Sequence, residues 1–132
     1  MELTGGCLCG SVRYTAEGPP RVHYCHCNMC RKATGSAFAV LAWVAAKNLR
    51  WHGTATRRER RSSPIAARSF CPRCGTPLTL AYDDRPERLA LHAGTLDEPE
   101  RFAPASHYGV EGRLAWVDCG TGLPEKATAE HW

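Results

Sequence analysis

The sequence predicts a mainly β fold in which residues 1–132 form one domain. Short runs that alternate apolar with polar residues, or that are rich in β-branched and aromatic residues, recur between turn signals, as half-buried strands do. Glycines and prolines are scattered along the chain, which is typical of many short turns. An apolar period of helical spacing is scarce. The composition, 43% hydrophobic and 23% charged, is that of an ordinary globular protein.

The first half of the chain divides at two turn signals. Gly18-Pro19-Pro20 and Gly35-Ser36 interrupt runs of strand-like residues, because glycine and proline end regular structure. Two short segments are predicted to form a helical turn, and a group of cysteines precedes the first of them. The predicted strands of this half are Ser11–Ala16, Val22–Tyr24, Ala37–Val44 and Arg50–Arg57, and the predicted helical turns are Asn28–Ala33 and Ala45–Leu49.

The second half divides in the same way. Ser63-Pro64 and Asp83–Pro86 are the turn signals that separate its strand-like runs. We find no internal repeat and no linker, which agrees with a single domain. The predicted strands of this half are Ala66–Phe70, Leu78–Tyr82, Leu89–Ala93 and Arg113–Val117.

Charge and leader signals narrow the class of protein only partly. The formal net charge of +4 suits a small acidic ligand as well as a polyanion. Met1–Cys7 lacks a basic region followed by an apolar stretch, and Ala37–Ala46 is too short to cross a membrane. We therefore expect a cytoplasmic protein with no membrane partner. Thiols stay reduced in that compartment, so the eight cysteines need an explanation other than disulfide bonds.

Seven of the eight cysteines fall in three short motifs, and the last, Cys71-Pro72-Arg73-Cys74-Gly75, is typical of a zinc knuckle. Its tight turn directs backbone N–H groups at the sulfurs, and its glycine can adopt the left-handed conformation that the turn requires. A redox-active pair has the same spacing but is followed by a helix. Thr76–Leu80 instead resembles a turn into a strand, which favours the knuckle.

A knuckle supplies two of the four ligands that a structural zinc ion needs. Cys7 and Cys9 can supply the others if the backbone turns at Gly10, whereas a disulfide between cysteines so close in sequence is hard to form. The sequence therefore predicts a structural zinc site of Cys7, Cys9, Cys71 and Cys74. Such a site would tie the first strand to the middle of the domain.

The remaining motif, Cys25-His26-Cys27-Asn28-Met29-Cys30, places three thiols within six residues. Three thiolates can bind one face of a second zinc ion and leave its fourth position open, as in catalytic sites. The alternative is a closed site completed by His26, Cys119 or His107. Because His26 lies between two ligands, we expect it to point away from the metal, and we favour the open site.

The charge of this second site indicates its chemistry. Three thiolates blunt the Lewis acidity of zinc, so the site suits an incoming thiol, held as the reactive thiolate, better than it suits hydrolysis. Arg31 and Lys32 would offset the excess negative charge. The sequence thus predicts thiol addition or exchange, with Cys25, Cys27 and Cys30 as the ligands of a catalytic zinc ion.

Taken together, these residues resemble the glutathione-dependent formaldehyde-activating enzyme (GFA) family, whose domain also occurs in centromere protein V. Three cysteine motifs in the same order, with their flanking residues, make the likeness specific, and it spans nearly the whole chain. The matching segments are Gly6–Tyr14, Cys25–Lys32 with Gly35–Phe38, Phe70–Leu78, and Gly94–Asp97 with Pro104, His107 and Trp116.

The resemblance implies a β-tent fold, in which several small coiled antiparallel sheets surround two zinc sites. It implies the same two sets of cysteine ligands that the spacing suggests. The implied activity is that of a carbon–sulfur lyase or synthase that joins formaldehyde to glutathione and gives S-hydroxymethylglutathione. The implied partner is therefore a small-molecule thiol such as glutathione.

Five residues outside the motifs leave alternatives open. His107 could close the second zinc site, shuttle a proton or be an ordinary strand histidine. Asp97 could accept a hydrogen bond near the site, although fixing a turn is the more usual role. Trp43, Trp51 and Trp116 are predicted to serve packing rather than ligand binding.

The basic segment Arg57–Arg61 invites a nucleic-acid interpretation, but neither a nucleic-acid fold motif nor interleaved aromatic residues accompany it. We expect a solvated strand end or loop. If it faces the open zinc site, it could instead attract an acidic ligand such as glutathione. The main alternative to an enzyme is a binding module in which both zinc ions only hold the fold together, and this alternative requires a fourth protein ligand at the second site.

Overall fold

The structure is a computed structural model and describes residues 1–130. Its elements are short, and the mainly β fold predicted from the sequence is confirmed. Single 3-10 turns lie at Ala46–Asn48, Ala93–Thr95, Pro99–Arg101 and Val110–Gly112. The longer elements are β1 (Glu2–Gly6), β2 (Val12–Glu17), β3 (Arg21–Cys25), α1 (Asn28–Thr34), β4 (Ala39–Ala45), β5 (Leu49–Gly53), β6 (Arg58–Ser63), β7 (Ala66–Phe70), β8 (Pro77–Tyr82), β9 (Arg88–His92), β10 (His107–Tyr108) and β11 (Glu125–Lys126).

Most predicted elements are present with small shifts at their ends, and two predicted strands are wrong in part or in whole. The strand predicted at Arg50–Arg57 ends at Gly53, whose φ of 107° turns the chain away from the sheet. The segment Arg113–Val117 is irregular apart from one turn at Ala115 and Trp116, because no strand within residues 1–130 pairs with it. The predicted helix at Asn28–Ala33 is α1, and the helical turn predicted at Ala45–Leu49 is one 3-10 turn.

The strands of residues 1–130 form two sheets. One is antiparallel, with the order β1-β2-β5. The other has eight strands in the order β11-β10-β3-β4-β9-β8-β7-β6 and is mixed, because β10 is parallel to both of its neighbours. Five of the nine strand pairings in the described residues join antiparallel strands that are consecutive in the sequence, so much of the chain order is kept in space.

One face of the eight-stranded sheet carries the main core. Val22, Ala42 and Leu91 lie on this face and pack against Leu3 and Tyr14 of the three-stranded sheet. Side chains alternate between the two faces of a strand, so the residues next to these in sequence point to the opposite face. The three-stranded sheet therefore covers one face of the larger sheet, and the opposite face does not take part in this core.

The opposite face carries a row of side chains that are direct neighbours across the strands. The row runs from Arg21 through Trp43, Ala90 and Leu80 to Arg68, because each residue is paired in register with the next. Opposite residues in an antiparallel pair share a face. This face, called the site face below, therefore brings together residues from five strands.

The basic segment of the sequence is mostly an edge strand. Arg58 and Arg60 are exposed on β6, which ends the larger sheet, and the Arg57 guanidinium lies over the Trp51 ring, 4.1 Å from its centroid. Charged residues on an exposed edge oppose pairing with the strands of another chain. Among residues 1–130, no helix has the length and apolar character that a membrane crossing requires.

Candidate metal centres and the cavity beside them

The first cysteine cluster (Cys7, Cys9, Cys71 and Cys74) is assembled from two turns, β1–β2 and β7–β8. Its sulfur atoms all lie within 4.8 Å of one another. The Cys9 sulfur is 3.6 Å from that of Cys7 and 3.9 Å from that of Cys71. Four sulfurs bound tetrahedrally to zinc at about 2.3 Å stand roughly 3.8 Å apart. The four residues predicted as one site are therefore brought together with the spacing that zinc needs.

The two turns of this cluster have the backbone geometry that the motifs predict. Gly10 and Gly75 adopt φ angles of 79° and 80°, the left-handed region that other residues rarely enter. The Arg73 N–H donates to the Cys71 sulfur at 3.4 Å. Hydrogen bonds of this kind favour the thiolate form that a metal requires. The cluster can thus hold a metal ion without rearrangement of its turns.

The second cysteine cluster (Cys25, Cys27 and Cys30) is assembled from the end of β3 and the start of α1. Its three sulfur atoms also lie within 4.8 Å of one another, and those of Cys25 and Cys27 are 3.6 Å apart. Cys27 caps the helix, because its sulfur accepts a hydrogen bond from the Cys30 N–H at 3.3 Å. Cys25 and Cys30 are buried, whereas Cys27 is half-buried. The spacing suits one face of a tetrahedral metal ion.

The three thiols of the second cluster differ in how readily they ionise. Hydrogen bonds from Cys25 and then Cys30 lower the pKa of the Cys27 thiol to about 2. The hydrogen bonds with Cys27 and Cys30, together with burial, raise the pKa of the Cys25 thiol. Cys27 therefore carries the first negative charge of the cluster, and a cation is needed before all three can be thiolates.

Within residues 1–130 the second cluster has no fourth member. No other cysteine, histidine or carboxylate oxygen joins the three sulfurs within 4.8 Å. His26 is fully buried and faces away from them, as its place between two ligands suggested, with its Nε2 2.8 Å from Nδ1 of His107. Cys119 instead contacts Tyr24. None of the three residues considered as closing ligands is therefore in place to close the site.

His26 and His107 form a fixed pair behind the second cluster. Nε2 of His107 donates to the Gly120 carbonyl at 2.8 Å, because a carbonyl oxygen can only accept. Nδ1 of His107 must then accept the proton carried by Nε2 of His26. This leaves Nδ1 of His26 as a buried acceptor without a partner among the described residues. Burial lowers the pKa of His26, which favours its neutral form, and the hydrogen bond between the two rings positions the turn that carries the cysteines.

Asp97 does not approach either cluster. Its carboxylate accepts hydrogen bonds from the Thr4 hydroxyl at 2.7 Å and from the Arg13 guanidinium. These bonds, chiefly the one with Arg13, lower the pKa of Asp97. Asp97 thus ties the segment after β9 to the first hairpin.

Arg68, which the motifs did not single out, is the cation beside the second cluster. Its Nη2 lies 3.5 Å from the Cys30 sulfur, whereas the structure shows no such contact for Arg31 or Lys32. Nε and Nη1 of Arg68 are buried and have no hydrogen-bond partner among residues 1–130. A buried guanidinium without a carboxylate partner is expected to lie next to negative charge. In the sequence, Arg68 shares one face of a short strand with the apolar residues Ala66 and Phe70. An arginine on the apolar face of a strand is the signal that could have identified Arg68 as a site residue.

We expect the Arg68→Gln variant to bind metal at the second cluster roughly ten to a hundred times more weakly, as is usual when an outer partner of a metal site is lost. The loss follows because three thiolates would lose their neighbouring positive charge. Chelator competition with Co²⁺, read from thiolate absorption bands, measures this affinity. Arg60→Gln is the matched control, since Arg60 is the exposed neighbour of Arg68 in register. Equal affinities for the two variants would contradict the role given to Arg68.

A cavity of about 440 Å³ opens on the site face beside the second cluster. Cys25 forms part of the cavity wall, so one of the three cysteines of the second cluster borders the cavity. Leu41, Leu80, Trp43 and Tyr82 supply apolar and aromatic surface. Trp43 therefore lines a cavity and does not serve packing alone, which the sequence did not predict. Cavities of this size hold small organic ligands.

Comparison with known proteins supports the likeness seen in the motifs. The profile described as glutathione-dependent formaldehyde-activating enzyme matches residues 2–111. A Halomonas elongata protein that carries the provisional name glutathione-dependent formaldehyde-activating enzyme is 31% identical, over 98% of this chain and 94% of its own length. A Schizosaccharomyces pombe protein named an uncharacterized lyase is 32% identical over 61% of this chain and 58% of its own length.

A solved structure shares the fold. The crystal structure of a Rhodobacter sphaeroides protein superposes with a TM-score of 0.55 at 21% identity and covers 93% of this chain and 98% of that chain. The cysteine motifs, the match over most of the chain and the identity to a full-length relative agree. The chain belongs to the family of glutathione-dependent formaldehyde-activating enzymes.

Proposed function

We propose that the protein is a zinc-dependent carbon–sulfur lyase or synthase that acts on a thiol adduct, with glutathione and formaldehyde giving S-hydroxymethylglutathione as its reaction. The observation that carries the proposal is the second cysteine cluster, which has three ligands within residues 1–130 and borders a cavity. A metal site with an open position next to a cavity is the arrangement of a catalytic site. The names of the relatives support the substrate pair.

The reaction joins the sulfur of the thiol to the carbonyl carbon of the aldehyde. As the carbon–sulfur bond forms, the π electrons of the C=O bond move to the oxygen, which takes up the proton that the thiol has lost. The reverse sequence breaks the same bond and returns both reactants. When bound by Cys25, Cys27 and Cys30, zinc supplies a positive centre that favours the thiolate form of an incoming thiol.

Residues of the chain would position the reactants and balance the charge. Arg68, 3.5 Å from the Cys30 sulfur, offsets part of the negative charge of the thiolates. The aromatic side chains of Trp43 and Tyr82 stack with their ring centroids 6.0 Å apart and shield one side of the cavity from water. Shielding strengthens the electrostatic attraction between the thiolate and the site.

The first cysteine cluster has a different role in this proposal. We assign it a structural zinc ion, bound by Cys7, Cys9, Cys71 and Cys74, because all four positions are taken by cysteines of the chain. The protein would then be one zinc-binding domain with two ions. Free thiols in both clusters fit the reducing environment of the cytoplasm, where the protein is proposed to act.

The test is carbon-13 NMR exchange spectroscopy on labelled formaldehyde mixed with glutathione. It is done at mildly acidic pH, where little of the thiol is ionised and uncatalysed addition is slow. We expect the zinc-loaded protein to accelerate exchange between free and adduct formaldehyde in proportion to its concentration. Protein from which a chelator has removed the zinc is the control. Exchange at the uncatalysed rate, with two zinc ions bound per chain, would instead favour the binding module.

A further inference from the structure

We propose that the cavity is a binding site for a thiol that carries a carboxylate remote from its sulfur, and that Arg21, Arg85 and Arg88 bind this carboxylate. The three residues are called the arginine group below. The position of the ligand's sulfur beside the second cluster rests on the proposed function, whereas the position of its carboxylate rests on the charges of the cavity. An experiment can therefore contradict one of these positions and leave the other standing.

The cavity has two chemically different ends along β3. Cys25 and Arg21 both line it and lie on the same face of that strand, four residues apart. Residues that far apart on a strand have Cα atoms separated by about 13 Å. A ligand with its sulfur at Cys25 must therefore carry its charged group several bonds away.

The arginine group has no counter-charge of its own. No carboxylate within residues 1–130 lies within 4.0 Å of any of the three guanidinium groups, although six ion pairs form elsewhere in these residues. Arg85 belongs to the β8–β9 turn and Arg88 begins β9, so both approach Arg21 from a neighbouring segment. Burial, and then the charges of Arg88 and Arg85, lower the pKa of Arg21. Mutual repulsion of this kind is relieved when an anion binds between the cations.

The carboxylates that do line the cavity are already occupied. Glu125 accepts a hydrogen bond from Arg113 at 2.7 Å, and Glu130 accepts one from the Tyr108 hydroxyl. Lys126 adds a further positive charge to the wall. Cations therefore exceed free carboxylates within the described lining. The net positive charge of this lining favours an anionic ligand.

The wall between the two ends indicates that the ligand is more than a bare anion. Trp43 is held in place because its indole N–H donates to Nε2 of His23 at 2.8 Å. The Cζ atom of Arg21 lies 5.7 Å from the centroid of the Trp43 ring. The ring of Tyr82 is nearly parallel to the Trp43 ring. A fixed aromatic surface beside an arginine suits an extended organic group that ends in a carboxylate. Inorganic anions leave that surface unused.

The test measures binding of S-methylglutathione, an unreactive thioether with two carboxylates, by isothermal titration calorimetry on the zinc-loaded protein. The variant Arg21→Gln/Arg85→Gln/Arg88→Gln removes the arginine group. The control Arg50→Gln/Arg58→Gln/Arg60→Gln makes the same change in net charge with exposed arginines outside the cavity. We expect the first variant to bind at least about tenfold more weakly and the control to bind like the unmodified protein. The dimethyl ester of the ligand should bind weakly to all three.

The outcomes separate this inference from the proposed function. Equal affinity of both variants, or equal affinity for the diester, would overturn the carboxylate site whether or not the protein is an enzyme. Displacement of the thioether by inorganic phosphate but not by glutarate would overturn the assignment to carboxylate. Tight, arginine-dependent binding without any acceleration of formaldehyde exchange would leave the carboxylate site standing and overturn the proposed reaction.

Discussion

Replacing Cys71 with serine is expected to lower the melting temperature by more than about 10 °C, because it dismantles the first cysteine cluster. Cys71 is fully buried, and its sulfur faces that of Cys9 across 62 residues of chain. Structural zinc contributes a binding free energy of about 10 kcal/mol or more in small zinc domains, which is comparable with the whole stability of an ordinary domain. Thermal unfolding followed by circular dichroism, with zinc content measured on the same samples, gives the result.

The control for this variant is Cys119→Ser, which changes the half-buried cysteine that lies outside both clusters. We expect it to retain two zinc ions and to melt within a few degrees of the unmodified protein. A Cys71→Ser variant that has lost one zinc ion but melts at the same temperature as the control would show that the first cluster does not hold the fold together.

Replacing Cys27 with alanine is expected to reduce the formaldehyde exchange rate to the uncatalysed level while the protein stays folded. Cys27 is the thiol of the second cluster that ionises most readily, since hydrogen bonds from Cys25 and Cys30 lower its pKa to about 2. Without it, two thiols remain, which is too few to hold zinc firmly. Zinc content should fall from two ions to one, and the exchange assay should show no dependence on protein concentration.

The fold of the Cys27 variant decides between catalytic and structural roles of the second cluster. Loss of the cap of α1 costs about 1 kcal/mol, so only a small fall in melting temperature is expected. Cys119→Ala is the control for the change of a half-buried cysteine to alanine. Unfolding of the Cys27 variant would indicate that the second zinc ion is a structural one. Unchanged exchange with a single zinc ion would rule out catalysis at this cluster.

The ligands of both cysteine clusters could be predicted from the sequence because the geometry of each short motif is local. In the first cluster a glycine after each pair of cysteines fixes the turn, and Gly10 and Gly75 adopt the expected left-handed conformation. Strands with alternating residues, such as β2 (Val12–Glu17), could be predicted for the same reason. Four strands within residues 1–130 were missed. β10 and β11 have only two residues each, which is too short for a pattern, and the residues of the other two hide it. β1 ends in two glycines, and β6 is so rich in arginine that it suggests a loop.

The cavity could not be predicted, because it depends on which strands become neighbours. Arg21, Trp43 and Leu80 are far apart in sequence and meet only through the register of four strands. Arg68 reaches the second cluster by the same route, from a strand that carries no motif. Residues that bind ligands often come from separate elements in this way, whereas the cysteines within one short motif are neighbours in the sequence.

The different spans of the two clusters also set the order in which they can assemble. Cys25 and Cys27 are two residues apart, whereas Cys9 and Cys71 are separated by 62 residues. The entropy lost on closing a loop grows with its length, so the short cluster closes at lower cost and earlier. On the ribosome, its three thiols emerge before either cysteine of the β7–β8 turn has been made. A nascent chain can therefore take up its first metal ion at the second cluster, and the long closure comes last.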